Sequence, residues 1–376
     1  MRILIACGGT GGHLFPGLAV AEALLSRRHE VRLLVSEKAV DQAALASLVV
    51  RGGSALSIRS LPAVGYLGLR DVVRFGSGMA RATGQCAALC GEFVPDVVLG
   101  MGGFTTAPAM LAAFWKATPA LIHESNAVPG KANRCAAWFA RHVAVGMADC
   151  ARFFRRKPVS VTGTPLRSQL RGGKVPDARQ QLQLDPHRLT ILVMGGSQGA
   201  HAINEAVACT LPRRRGWTDS VQFLHLSGAQ DEAFLREAYS AHGFTARVMS
   251  FCDRMELAYS AADLVVSRAG AGTLAEIATF GLPSILIPYP FAADDHQAHN
   301  ARVFERVGAA RMIRQSALGD TDAEKGERLG AVLGELLADD TQRRRMSEAA
   351  HSLAVFDAEE RIANLIEQHA HQTTTH

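Results

Sequence analysis

DLVVSRAGAGTLAEIATFGLPSILIPYPFAADDHQAHN, residues 263–300, holds two short apolar runs, each ending in a loop of small and hydrogen-bonding residues. The first run, Leu264 to Val266, gives way to Ser267, Arg268, Ala269, Gly270, Ala271, Gly272 and Thr273. The second, Ser284 to Ile287, stops at Pro288, and its loop carries Asp294, Asp295, His296, Gln297 and Asn300. Between them Leu274 to Phe280 reads as helix and closes at Gly281. Short apolar runs bounded by turn residues and joined by a helix predict a strand–helix–strand unit of a parallel sheet. Ligands of such sheets bind in the crevice outside the carboxyl ends of the strands. Glu276, early in the helix, could there accept hydrogen bonds from a ligand's hydroxyls. The same residues also describe an ordinary unit with turn glycines. The fold class follows from them; the function stays open.

The pattern recurs on both sides. Ile3 to Cys7 is a strand candidate, followed by GGTGGH (8–13), a helix from about Pro16, a residue suited to a first helical position, and a strand at Val31 to Val35. Val97 to Leu99 leads into GMGGFTT (100–106), and Ala120 to Ile122 into HESN (123–126). Val143 to Val145 is a further strand, and VTGTPLR (161–167) is a hinge. The pattern then restarts: strand Leu189 to Met194, glycine loop GGSQGA (195–200), helix from Ala202, then strands at Val221 to Leu226 and Ala246 to Ser250. From Asp339 onward the chain reads as helix. At 376 residues the chain is long for one core. The likeness of GGTGG to GGSQG predicts two similarly built, doubly wound α/β domains.

Glycine loops of this kind aim backbone N–H groups at an anion beside a helix N-terminus. GGTGGH matches neither GxGxxG nor GxxxxGK[ST], so dinucleotide and P-loop kinase readings lack support. His13 reads equally as a base or as a residue capping a turn. The net charge of +5 suits phosphate-bearing or anionic-surface partners but is too weak to indicate nucleic acid. Seven scattered cysteines, with no CxxC pair, fit a reducing cytoplasm. Neither a signal peptide nor a membrane-length apolar run is evident. In residues 61–85, Leu67, Leu69, Val72, Val73 and Phe75 alternate with Arg70, Arg74 and Arg81. That mix can sit in the headgroup zone of an anionic bilayer, but the residues alone favour a helix packed on its own domain with solvated arginines.

GGTGGH, VLGMGGF (98–104), HESN, GTPLR (163–167), GGSQGA, SRAGAGTLAE (267–276) and DHQxxNA (295–301) together resemble the MurG family. These are the bacterial undecaprenyldiphospho-muramoylpentapeptide β-N-acetylglucosaminyltransferases of glycosyltransferase family 28. The resemblance runs through nearly the whole chain, with the motifs in family order. It implies a GT-B fold, two Rossmann-like domains facing across a cleft. The first spans 1–163 and carries the acceptor and membrane side; the second spans 164–351 and holds the donor. A C-terminal helix at about 352–370 packs back on the first. The implied reaction moves N-acetylglucosamine from UDP-GlcNAc to the muramic C4 hydroxyl of lipid I, with inversion, making lipid II for peptidoglycan synthesis. Its implied place is the cytoplasmic face of the inner membrane, as a peripheral protein. Other cell-wall synthesis and division proteins are further candidate partners, and nucleic acid is not among them.

Carried onto this chain, the resemblance sets backbone at Cys252 against uracil and Glu276 against the ribose. Ser197 and its loop, with Ala271, Gly272, Thr273, Leu274 and Ala275, would hold the diphosphate region. Gln297 would contact the sugar, with His296 beside it as a further candidate. Thr10, Gly11, Gly12, Asn126 and Arg167 would complete the donor contacts. His13 is the leading base and Glu124 the competing one. Leu69, Arg70, Val73, Arg74 and Phe75 become the membrane candidates, joined by Trp115 and Lys116. No metal or other cofactor is expected; Asp320-Thr321-Asp322 reads as a helix N-cap region remote in sequence from the donor loops. Serine in HESN, threonine in GTPLR and phenylalanine in GGF depart from the family's commoner residues and bear on the acceptor surface. Rival readings are a related transferase with a diacylglycerol-type acceptor, a UDP-GlcNAc 2-epimerase, and a nucleotide-sugar-binding scaffold without turnover.

Overall fold

The computed structural model describes residues 1–9, 11–37, 56–61, 72–196 and 199–371, without the side chains of 72–75 and 371. The chain divides into two compact units, Met1–Arg167 with Asp357–His376, and Ser168–Phe356.

In the first unit the elements run β1 (Arg2–Ala6), α1 (Gly11–Ser26), β2 (Glu30–Ser36), β3 (Leu56–Leu61), α2 (Val72–Phe93), β4 (Val97–Gly100), α3 (Thr106–Trp115), β5 (Ala120–Glu124), α4 (Lys131–Ala136), β6 (His142–Val145) and β7 (Val159–Val161). The strands form one sheet in the order β3-β2-β1-β4-β5-β6-β7, and every neighbouring pair is parallel. Strand order reverses between β1 and β4, which sets the loops after these two strands side by side. Alternate residues of the strands feed two cores, as the pleat requires. Leu4, Val98 and Ile122 pack with α2, α3 and α4, whereas Ile3, Ile5 and Leu99 pack with α1.

The second unit repeats the plan with β8 (Leu189–Met194), α5 (His201–Thr210), β9 (Val221–Leu226), α6 (Glu232–Ala241), β10 (Thr245–Met249), α7 (Met255–Ala261), β11 (Leu264–Ser267), α8 (Ala271–Phe280), β12 (Ser284–Leu286), α9 (His296–Arg306), β13 (Ala310–Met312), α10 (Asp322–Ala338) and α11 (Asp340–His351). Its parallel sheet has the order β10-β9-β8-β11-β12-β13, with the reversal between β8 and β11. The helix α12 (Ala358–His371) returns to the first unit. There it buries Ile362, Ala363 and Ile366 against the α1 side of the sheet. Glu367 pairs with Arg27 at 2.9 Å and with His29 at 2.8 Å, and Glu360 also pairs with Arg27.

Several elements differ from expectation. α1 begins at Gly11, so Pro16 lies inside the helix rather than at its start. A proline there gives up only the bond to the carbonyl four residues earlier, that of Gly12. β3, β7, β13 and α10 are absent from the expected pattern: β7 and β13 are short, and all three strands lie at a sheet edge. The C-terminal helical stretch is two helices, with a break at 352–357. Arg167, expected to open the second domain, ends the first unit. Its guanidinium sits 4.7 Å from the centre of the Phe15 ring of α1, and His123 on β5 hydrogen-bonds the Gly163 carbonyl at 2.9 Å, which ties this segment to the first sheet.

Candidate active site

In the first unit two threonines stitch the loops at the switch point. Thr105 Oγ1 accepts from Gly8 N at 2.9 Å, and Thr106 Oγ1 accepts from Gly102 N at 2.9 Å. The glycines make this approach possible. Gly103 has φ +75°, and a Cβ on it would stand 2.2 Å from the Gly8 carbonyl oxygen. His13, in the first turn of α1, lies over the second loop: a Cβ on Gly102 would come within 2.6 Å of His13 Cε1 and Nδ1. Gly11 and Gly12 occupy the helix N-terminus beside it. Thr10 lies outside the described residues.

One strand away, Glu124 is 2% exposed and fully engaged. Its Oε1 accepts from Asn126 N at 3.0 Å and Asn126 Nδ2 at 2.9 Å. Its Oε2 accepts from Gly130 N at 3.1 Å and Asn133 Nδ2 at 2.9 Å. Four donors thus fold the 125–130 loop around one carboxylate and hold Asn126 in place. This is a loop-organising role, and it weighs against Glu124 as the base, because proton abstraction would compete with those donors. His123, fully buried, donates from Nε2 to Gly163, and burial pushes its pKa down. Arg167 meets no carboxylate among the described residues.

In the second unit α8 starts at Ala271, with Gly270 as its N-cap. The N–H groups of Ala271, Gly272 and Thr273 lack partners within the helix, as first-turn donors do. Leu274 N instead bonds to the Gly270 carbonyl and the Leu274 side chain is fully buried. The first-turn donors without an intrahelical partner are therefore 271–273, while Leu274 and Ala275 lie further along the helix. Glu276 stands in the second turn, where Tyr259 OH donates to its Oε2 at 2.6 Å. Cys252 is buried, its thiol pushed up in pKa by that burial, and Phe251 beside it is exposed.

Gln297 joins two loops, its Oε1 accepting from Ala269 N at 3.2 Å and from Tyr289 N at 2.9 Å. That leaves its Nε2 for a ligand. His296 donates from Nδ1 to the Ala293 carbonyl at 2.7 Å, which fixes the orientation of its ring. Arg268 clamps the same region through the carbonyls of Ile287 and Pro288 and Oε1 of Gln315, at 3.0, 3.1 and 2.9 Å. Asp320 and Asp322 flank Thr321, the N-cap of α10, which forms a reciprocal capping box with Glu324.

Ser197 lies outside the described residues, but the support behind its loop is clear. Gly199 has φ +77°, and a Cβ there would meet the Ser227 carbonyl oxygen at 2.3 Å. Asn204 Nδ2 donates to that same oxygen at 2.9 Å and to Asp231 Oδ2 at 2.7 Å. Its Oδ1 must then accept from His225 Nε2 at 3.0 Å, which leaves His225 Nδ1 to accept from Tyr239 OH at 2.9 Å. Burial pushes the His225 pKa down to about 3. An unfolded histidine titrates near 6.5, so on acidification the unfolded chain takes up the proton first. Stability of the second unit should be full above about pH 6.5 and fall by ~1.4 kcal/mol per pH unit from this group as pH drops toward 3. Urea melts of wild type and His225→Gln check this: the variant should be less stable at neutral pH and lose less on acidification.

Two parallel-sheet units, each with glycine loops at its switch point, have the plan of the GT-B fold. Residues 3–145 match the glycosyltransferase family 28 N-terminal domain, and residues 190–366 match the family's C-terminal domain. The chain belongs to glycosyltransferase family 28, within its MurG members. It is 37% identical to a protein of Citrifermentans bemidjiense, over 97% of this chain and 98% of the relative. It is 39% identical to one of Geobacter metallireducens, over 97% of each. Both relatives are named UDP-N-acetylglucosamine–N-acetylmuramyl-(pentapeptide) pyrophosphoryl-undecaprenol N-acetylglucosamine transferase. The crystal structure of Acinetobacter baumannii MurG superposes with TM-score 0.76 at 27% identity, covering 98% of this chain and 99% of that one.

Proposed function

We infer that the chain transfers N-acetylglucosamine from UDP-GlcNAc to the C4 hydroxyl of undecaprenyl-diphospho-muramoylpentapeptide, inverting the anomeric centre to give a β-linked disaccharide lipid. The observation that carries this reading is the gathering of free helix N–H groups, an oriented carboxylate and a loop-bridging amide at the carboxyl ends of one sheet, in a chain related end to end to such transferases. The donor's diphosphate is assigned to the N–H groups of 271–273 and the 195–200 loop, its ribose to Glu276, its uracil to backbone at Cys252, and its sugar to Gln297 Nε2 with His296. Asn126, Thr10, Gly11, Gly12 and Arg167 of the first unit are assigned the remaining donor contacts.

His13 takes the proton of the acceptor hydroxyl as its oxygen attacks C1 of the sugar. The C1–O bond to UDP breaks, and the diphosphate leaves with the bonding pair. The positive end of α8 stabilises that charge. A decisive assay offers radiolabelled UDP-GlcNAc with the muramoylpentapeptide lipid, with diacylglycerol and with no acceptor, each with and without EDTA. Label should enter the first lipid alone and survive chelation. Incorporation into diacylglycerol instead would overturn the acceptor, and complete loss in EDTA would overturn the assignment of charge stabilisation to protein groups.

A lipid-linked acceptor places the first unit at a bilayer. Among the described residues no helix is long and apolar enough to cross one. Leu69 and Arg70 lie outside the described residues, as do the side chains of Val73, Arg74 and Phe75 at the start of α2. An aromatic and basic face is described instead on α3, α4 and the following turns. Phe114 and Trp115 are each 61% exposed and Trp138 is 72% exposed. The Phe114 and Phe139 rings lie 5.3 Å apart, and Arg134 and Arg152 both stack on Phe153. Exposed aromatics interleaved with arginine suit the interfacial zone of an anionic membrane. Replacing Trp115 and Trp138 by serine should weaken cosedimentation with phosphatidylglycerol vesicles about tenfold and leave UDP binding intact; unchanged sedimentation would place the contact elsewhere.

A further inference from the structure

Tyr259 is fully buried yet spends its hydroxyl on the donor side of the second unit. Its OH donates to Glu276 Oε2 at 2.6 Å and approaches Met194 Sδ at 3.7 Å. Its ring stacks on Phe280, with centroids 5.2 Å apart and planes 29° from parallel. Glu276 and Phe280 are one turn apart on α8, so the tyrosine grips that helix twice on one face. Met194 ends β8, immediately before the 195–200 loop. Tyr259 itself sits on α7, which begins three residues after Cys252. One side chain therefore joins the elements leading to the base loop, the ribose carboxylate and the phosphate loop.

A carboxylate that reads a vicinal diol must present its lone pairs in a fixed plane, and a flexible glutamate loses rotamer entropy in doing so. A short bond from a buried phenol removes that freedom in advance, and preorganisation of this kind appears as affinity and selectivity. A site built around a hydroxyl rejects the analogue that lacks it because its polar groups are then left unpaired.

We propose that Tyr259 is the positioning residue that fixes Glu276 for the ribose of the uridine nucleotide and thereby sets discrimination against 2′-deoxyribose. This rests on the assignment of Glu276 to the ribose. Tyr259→Phe keeps the buried ring and its stack on Phe280 and deletes only the oxygen.

The test is calorimetric titration of UDP and 2′-deoxyUDP into the full-length protein, wild type and Tyr259→Phe, with donor KM and kcat measured beside it. The phenylalanine variant should bind UDP about tenfold more weakly and 2′-deoxyUDP less than twofold more weakly, so the preference for ribose collapses. KM for UDP-GlcNAc should rise about tenfold while kcat at saturating donor moves less than twofold. Glu276→Gln should lose the same preference, and the double variant should lose little more. Equal weakening of both nucleotides would reduce Tyr259 to a packing residue, and a retained preference would remove it from recognition; either overturns the proposal. If wild type binds the two nucleotides equally, Glu276 does not read the ribose and the proposal falls, while the transferase reading still stands or falls by the acceptor assay.

Discussion

Replacing His13 by alanine should lower kcat by about 10²–10⁴, the usual contribution of a positioned general base. The donor KM should stay within a few-fold, because the groups assigned to uracil, ribose and sugar belong to the other unit. His13 stands in the first turn of α1 with its ring against Gly102, and Thr106 pins that glycine. His13→Gln keeps a polar side chain there and cannot take the proton, so it should fall nearly as far as alanine. With the base removed, the residual rate should also lose the rise with pH that a base active in its neutral form imposes. Near-normal turnover of His13→Ala, with an unchanged pH profile, would end this assignment.

Replacing Glu124 by alanine should unfold the first unit's loop before it reports on chemistry. Four donors, Asn126 N and Nδ2, Gly130 N and Asn133 Nδ2, would lose their acceptor in a nearly dry site. Each buried donor left unpaired costs about 1–3 kcal/mol, and relaxation or entering water recovers part of it. A net loss of about 3 kcal/mol corresponds to a fall of roughly 6–12 °C in Tm for a unit of this size. Activity should fall too, through displaced Asn126, and appear as a raised donor KM. A residue acting only as a base would instead give a normal melting curve, a normal donor KM and a collapsed kcat. Calorimetry and initial-rate kinetics on one variant separate the two roles.

Both predictions depend on contacts that spacing alone could not reveal. The two-unit α/β plan was legible because each strand is a short apolar run that ends in glycine or a small polar residue, from Ile3–Cys7 to Leu264–Val266. The edge strands β3 and β7 escaped because an edge strand is only partly buried, and of Leu56–Leu61 only Leu61 is buried. The residues now assigned to the donor could be named through family motifs. What supports them could not. Thr105, Asn204, Tyr259 and Arg268 act through partners well beyond one helical turn or strand, 97 residues away for Thr105, and no local period marks such a pairing. Glu124 shows the limit most clearly: a carboxylate at a strand end reads as a base until its four donors are counted.

The return of α12 has a consequence for how the chain is made. Ile362, Ala363 and Ile366 complete one core of the first unit, yet they leave the ribosome only after all of Ser168–Phe356 has been synthesised. The second unit is continuous in the chain and has its whole core synthesised before α12 is made. The first must wait with the α1 side of its sheet incompletely covered, which makes the nascent first unit the stage most open to chaperone capture. A chain ending at Phe356, released from the ribosome, should display a protease-resistant second unit and a first unit still open to cleavage.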